Sequence, residues 1–160
     1  MGEPNASSEE CLLTLGATDA SGSVGYWRVE ESLKKASAFS VEAVMLASGF
    51  LTEADDSEIA SLLIGDEYKE AKIVVYQRDH GKETGITACD THGCHEAAFD
   101  LSRFHTIRIE VFKDAGVAFL LDGEVFFTTS YSALPAASFT APSVYFGAQV
   151  LDVFRFGNEG

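Results

Sequence analysis

Residues 104–127 read FHTIRIEVFKDAGVAFLLDGEVFF, and this stretch decides the fold. In HTIRIEVFK (105–113), Ile107, Ile109 and Val111 recur at every second position, with Arg108, Glu110 and Phe112 between them. A period of two belongs to a strand with one buried face. Further along, VAFLL and EVFFTT flank Asp122-Gly123. That pair between apolar runs predicts a two-residue hairpin, because the tight turns that suit twisted strands need residues tolerant of positive φ.

The same pattern extends in both directions. FSVEAVML (39–46) alternates, with Phe39, Val41, Ala43 and Met45 on one face and Ser40, Glu42, Val44 and Leu46 on the other. IASLLIG (59–65), AKIVVYQRD (71–79), TGITACD (84–90) and HEAAFDL (95–101) follow at short spacings, and SVYFGA (143–148) and LDVFRFG (151–157) end the chain. About ten short strands with turn residues between them predict an antiparallel sandwich. YWRVEESLKKASA (26–38) is ambiguous and is read as a strand over Tyr26 to Val29 running into helical turns. Residues 1–25 read as a flexible tail and a Gly/Ser/Asp-rich lead-in, and residues 26–157 as one domain.

Composition narrows the function. Acidic residues outnumber basic ones 25 to 11, a net charge of -14. Such a surface repels phosphate backbones and anionic lipid, so nucleic acid is excluded as an expected partner. No apolar run approaches the roughly 20 residues of a membrane span, so no membrane insertion is expected. The polar, acidic start MGEPNASSEE does not read as a signal peptide, and the sequon Asn5-Ala6-Ser7 is too short a pattern to weigh.

Phe104, His105, Thr106 and Arg108, with Asp122-Gly123 closing a later strand, resemble the concanavalin A-like lectin/glucanase superfamily in its laminin-G-like branch. FSVEAVML, SLLIGDE and a closing VYFGAQVLDVFRFG with Asp152 and Arg155 fit the same pattern. The resemblance covers roughly residues 26–157 and implies a jelly-roll β-sandwich of two sheets. It further implies a carbohydrate-related role on a concave sheet or its rim, sometimes with calcium. Such domains often sit beside neighbouring domains in a secreted or cell-surface protein.

The segment ACDTHGCHEAAFD (88–100) holds two cysteines and two histidines within seven positions. Placed between two strand-like runs, Asp90 to Gly93 form a hairpin loop with Cys89 and Cys94 facing each other, within disulfide reach if their side chains converge. We read this as a staple. Two free thiols, or a zinc site using His92 or His95, stay open as alternatives, although no second Cys/His cluster supplies the usual further ligands. Haem attachment is disfavoured by the four-residue gap before Cys94-His95. A disulfide would fit an oxidising compartment, leaving Cys11 unpaired.

Glu53, Asp55 and Glu58 match a carboxylate spacing of one glycoside hydrolase branch, in which two carboxyls stand about 5 Å apart. With Ala54, Asp56 and Ser57 between them, the segment reads here as a solvated acidic loop, with calcium as an option and no catalytic pair assigned. His105 is read as a structural hydrogen-bonding residue, and Trp27 as core, with a ligand platform as its alternative.

A sugar site needs aromatic faces and planar polar groups. By alternation Tyr76 and Arg78 share a face, Arg108 and Glu42 point away from their apolar stripes, and Tyr145 points away from Val144 and Phe146. Glu42, Tyr76, Arg78, Arg108 and Tyr145 are therefore the candidate groove, if their faces belong to one sheet. Ordinary exposure of polar residues on a sandwich's outer faces is the competing account. The function expected is a non-catalytic binding module for carbohydrate. A glycan-processing hydrolase or lyase, and a protein-interaction or spacer domain, are the alternatives.

Overall fold

The computed structural model describes residues 5–7, 12–14, 23–46, 56–79 and 81–149. Short strands β1 (Asn5–Ser7) and β2 (Leu12–Thr14) pair with each other as a small separate sheet. β3 (Ser23–Val29), a 3-10 turn (Glu31–Lys34), β4 (Ala38–Met45), β5 (Asp56–Gly65) and β6 (Glu70–Arg78) follow. After them come β7 (Glu83–Cys89), β8 (Cys94–Ala98), β9 (His105–Phe112), β10 (Gly116–Leu121) and β11 (Glu124–Thr129). A second 3-10 turn (Tyr131–Ala133) and β12 (Ser143–Gln149) complete the described chain.

The Asp-Gly hairpin forms as expected: Asp122 and Gly123 take φ of +52° and +84°, and Leu121 pairs with Glu124 across the turn. β9, β10 and β11 then lie side by side, and β4 adds to the free edge of β9, giving a four-stranded sheet of order β11-β10-β9-β4. A six-stranded sheet of order β3-β12-β5-β6-β7-β8 packs against it. Every pairing is antiparallel, and the chain is an all-β sandwich.

The alternating apolar residues meet between the sheets. Ile107, Ile109, Val111, Val117, Phe119 and Phe127 come from one, and Leu62, Ile64, Ile73, Val75, Ile86 and Ala88 from the other. Phe119 and Phe99 are among the largest fully buried side chains. Removing a ring of that size from water is worth roughly 1.5–3 kcal/mol. Asp66, in the turn between β5 and β6, ties the sheets together through Lys113, just past β9, and Tyr131.

Two expectations shift. β3 starts at Ser23 rather than Tyr26, because β12 offers a backbone partner to every residue from Ser23 to Val29 and pairing outweighs the poor strand propensity of this stretch. The acidic segment is not simply a loop: Asp56, Ser57 and Glu58 belong to β5 and pair with Arg78, Gln77 and Tyr76. Glu53, Asp55, Cys11 and LDVFRFG, with Asp152 and Arg155, lie outside the described residues.

Candidate functional site

The five candidate groove residues do not share a groove. Glu42 on β4 and Arg108 on β9 stand on the outer face of the four-stranded sheet, where Arg108 lies 3.5 Å from Glu42 and 2.8 Å from Glu110. Tyr76 and Arg78 on β6 and Tyr145 on β12 stand on the outer face of the six-stranded sheet. Two sheets that bury their inner faces together turn their polar faces in opposite directions. Strand order divides the set, and a one-sheet alternation argument does not reveal it.

The six-stranded face is built in rows. Hydrogen-bonded partners place Trp27, Tyr145, Leu63 and Lys72 in one row across β3, β12, β5 and β6. The next row holds Gly147, Ser61, Val74, Thr87 and Glu96. A third brings Glu58, Tyr76 and Gly85 together. All face away from the core, opposite Leu62, Ile64, Ile73, Val75 and Ile86. Outward residues of a sandwich are normally wet, yet Ser61 is 1%, Leu63 3% and Tyr76 8% exposed.

A register shift between Glu58 and Ala60 explains how a carboxylate reaches this face. Ile59 and Ala60 both enter the core, so the period resets and Glu58 sits opposite Tyr76 on the outside. Such a bulge re-aims a side chain at the cost of one unpaired residue.

The tyrosines lie flat because glycines make room. A Cβ on Gly85 would fall 2.3 Å from the Tyr76 hydroxyl oxygen, and one on Gly147 would fall 2.0 Å from that of Tyr145. The Arg78 guanidinium stacks 4.3 Å from the centre of the Tyr76 ring and grips Glu96 through two hydrogen bonds of 2.5 and 3.2 Å. Tyr76 and Arg78 thus form a wall of the face, with the Tyr76 ring covered by the guanidinium. Trp27 is 51% exposed and packs against Phe139 with ring centres 5.9 Å apart. That is a platform position, not the core position expected of it.

Sequence reasoning missed the centre of the face. Glu58 and Lys72 approach to 4.0 Å. Burial raises the Glu58 carboxyl above its usual range and outweighs the Lys72 ammonium that opposes it. Burial likewise lowers Lys72 to about 8, against the pull of Glu58 and Glu70. Tyr145 is raised by burial first and by the Glu58 charge second. Among the described residues, Glu58 Oε2, Ser61 Oγ and Thr87 Oγ1 are buried with no hydrogen-bond partner. The signal available in the sequence was the single polar residue breaking each apolar run, Ser61 in IASLLIG and Lys72 in AKIVVY.

Elsewhere the chemistry is structural. Cys89 and Cys94 are joined in a disulfide with Cα atoms 4.0 Å apart, as the staple reading expected. Below it, the Asp90 carboxylate accepts hydrogen bonds from the backbone of His92 and Gly93 and from the Thr129 hydroxyl. His105 is buried between the Asp122 carboxylate at 2.6 Å and the Asp100 carbonyl at 2.7 Å. Although burial opposes it, hydrogen bonds from His105 and the Thr106 amide hold the Asp122 carboxyl below its usual range. Among the described residues, no group of three or more His, Cys, Asp or Glu is placed to hold a metal ion, and no helix is long and apolar enough to cross a membrane.

No family model matches the sequence, and no curated protein matches it. Among solved structures, apo Crh5 transglycosylase aligns over 89% of this chain and 70% of its own, with 17% identity and a TM-score of 0.49. The Crh5 transglycosylase complex with NAG aligns over 79% of this chain, with 17% identity and a TM-score of 0.47, and this chain spans 57% of its length. The receptor binding domain of botulinum neurotoxin D aligns over 81% of this chain and 41% of its own, with 10% identity and a TM-score of 0.31.

Proposed function

We propose that the chain is a non-catalytic carbohydrate-binding module of the concanavalin A-like kind, with its site on the outer face of the six-stranded sheet. The observation that carries this reading is the half-exposed Trp27 ring beside Tyr145 in one row of that face, with Ser61, Thr87 and Glu58 in the rows beyond. Polar side chains beside apolar rings suit a polyhydroxylated ligand, whose hydroxyls both donate and accept. Trp27 and Tyr145, adjacent in one row, give the apolar ring faces on which a pyranose stacks.

The Cys89–Cys94 disulfide supports a secreted or cell-surface location, where such bonds persist.

A glycan array, run with calcium and with a chelator, tests this. Binding lost in Tyr145→Ala or Trp27→Ala and kept in Arg108→Ala, on the opposite face, would uphold it. Binding lost only in Arg108→Ala would move the site to the other sheet. A blank array in both buffers would overturn the carbohydrate reading.

A further inference from the structure

Trp27 stands on this face at an edge. β3 borders the six-stranded sheet, so Trp27 has a strand neighbour on one side only, Tyr145 of β12. A large side chain at a sheet edge, 51% exposed, has several rotamers open to it unless another group fixes one. The group in contact with it is Phe139, with ring centres 5.9 Å apart and planes inclined by 35°, within the range of a favourable aromatic pair.

Phe139 lies in the connection 134–142, which has no helix or strand and is nevertheless tied down along its length. Around its start, Lys69 Nζ donates to the carbonyls of Ser132 and Leu134, and the Glu70 backbone N–H donates to the Pro135 carbonyl. The Ala137 N–H donates to the Tyr68 carbonyl, and at the far end the Glu30 N–H donates to that of Pro142. Next to the ring, the Ser138 N–H and hydroxyl each donate to one oxygen of the Glu70 carboxylate, both at 2.8 Å. Pro135 and Pro142 remove further freedom by fixing φ. The Glu70–Ser138 clamp lies outside the core, with Ser138 exposed and Phe139 half-buried.

We propose that Phe139 and the Glu70–Ser138 clamp are positioning elements of the ligand platform. The clamp sets Phe139, and Phe139 holds the Trp27 indole at the angle at which its open face meets a ligand. The ring is thereby ordered before binding, and the ligand does not bear the cost of ordering it. The connection 134–142, rather than the sheet, sets the tilt of the platform and with it how a sugar ring lies on it. The sugar in this inference rests on the carbohydrate reading, but the bracing of Trp27 does not.

Trp27 is the sole tryptophan of the chain, so tryptophan fluorescence reads the platform directly. In the full chain without ligand, acrylamide should quench that fluorescence about twofold faster in Phe139→Ala, because the part of the indole that Phe139 covers opens to solvent. Affinity for an array-positive glycan should fall about threefold to tenfold in the same variant, the worth of one aromatic contact. Phe139→Tyr, which keeps a ring, should bring both readouts back toward native. Ser138→Ala, which loses one of the two bonds to Glu70, should move both in the same direction by less. The urea midpoint should stay in place, which separates lost positioning from lost fold. Native quenching in Phe139→Ala, or no recovery in Phe139→Tyr, would overturn the proposal. Should Phe139→Ala lower the urea midpoint, Ser138→Ala decides, and native quenching there would overturn it as well. Faster quenching in Phe139→Ala with a blank glycan array would keep the bracing and remove the sugar as what it serves. Glycan binding lost in Trp27→Ala, with native quenching and native affinity in Phe139→Ala, would do the reverse.

Discussion

Replacing Asp66 with Asn probes how the two sheets are joined. The Asp66 side chain is 1% exposed, and its Oδ1 accepts hydrogen bonds of 2.8 Å from the backbone of Tyr68 and Lys69. Its Oδ2 accepts from the Tyr131 hydroxyl at 2.5 Å and faces Lys113 Nζ at 3.1 Å. In Asp66→Asn the amide oxygen stays with the two backbone donors, so the NH2 group confronts a hydroxyl and an ammonium. Breaking a fully buried ion pair costs about 3–5 kcal/mol, and since the Lys113 end is partly exposed we expect about 2–3 kcal/mol. In urea, with a slope of about 2 kcal/mol per molar for a domain of this size, the midpoint falls by about 1–1.5 M. Tyr131→Phe, which removes only the hydroxyl, should cost about 1.5 kcal/mol. The pH dependence has a definite sign. Burial pushes the Asp66 carboxyl up, but the hydrogen bonds from Tyr131, Lys69, Tyr68 and Lys113 outweigh it, so the folded value is depressed. The stabilisation is therefore complete above the unfolded value of about 3.9 and is lost as the pH falls through the lower folded value. Native protein and Asp66→Asn should converge in acid. A midpoint shift below about 0.3 M at pH 7, or a gap that persists unchanged at about pH 2, would refute the reasoning.

Three further outcomes are expected. Gly147→Ala forces the Tyr145 ring off the strand, since the new Cβ would fall 2.0 Å from its hydroxyl oxygen; titration with an array-positive glycan should show about fivefold to tenfold weaker binding, the worth of one aromatic contact. The Cys89→Ala/Cys94→Ala double variant opens the six-residue loop and should cost about 2 kcal/mol, lowering Tm by about 4–8 °C by scanning calorimetry. Asp122→Ala removes the acceptor of the Thr106 amide and of His105 at a residue with φ of +52°, and chemical denaturation should show a loss of about 2–3 kcal/mol.

What the sequence disclosed follows from which interactions are local. The Asp122-Gly123 turn and the Ile107, Ile109, Val111 stripe are written in consecutive residues, so β9, β10 and β11 were legible. The disulfide was legible for the same reason, because the cysteines flank a hairpin loop that brings them together. The division of Glu42 and Arg108 from Tyr76, Arg78 and Tyr145 was not, because β12 inserts between β3 and β5 by contacts distant in sequence. Trp27 was read as core, with a ligand platform as its alternative, yet its partner Tyr145 stands on the outer face and directly paired residues share a face. Glu58 was taken for part of a loop because acidic neighbours and a broken alternation concealed the strand it belongs to.

The bulge in β5 acts as a phase shifter, and the way the strand absorbs one extra residue, rather than residue choice, sets where its acid points. Ala60, Leu62 and Ile64 face inward, and unbroken alternation would put Glu58 among them. Straightening the strand with Ile59 retained would turn the carboxylate into the hydrocarbon interior, whereas an in-frame deletion of Ile59 would join Glu58 to Ala60 in regular alternation and keep it opposite Tyr76 on the outer face. Substitutions can retune the walls of the face one side chain at a time, whereas its central acid stays outside only while the extra residue is absorbed by the bulge.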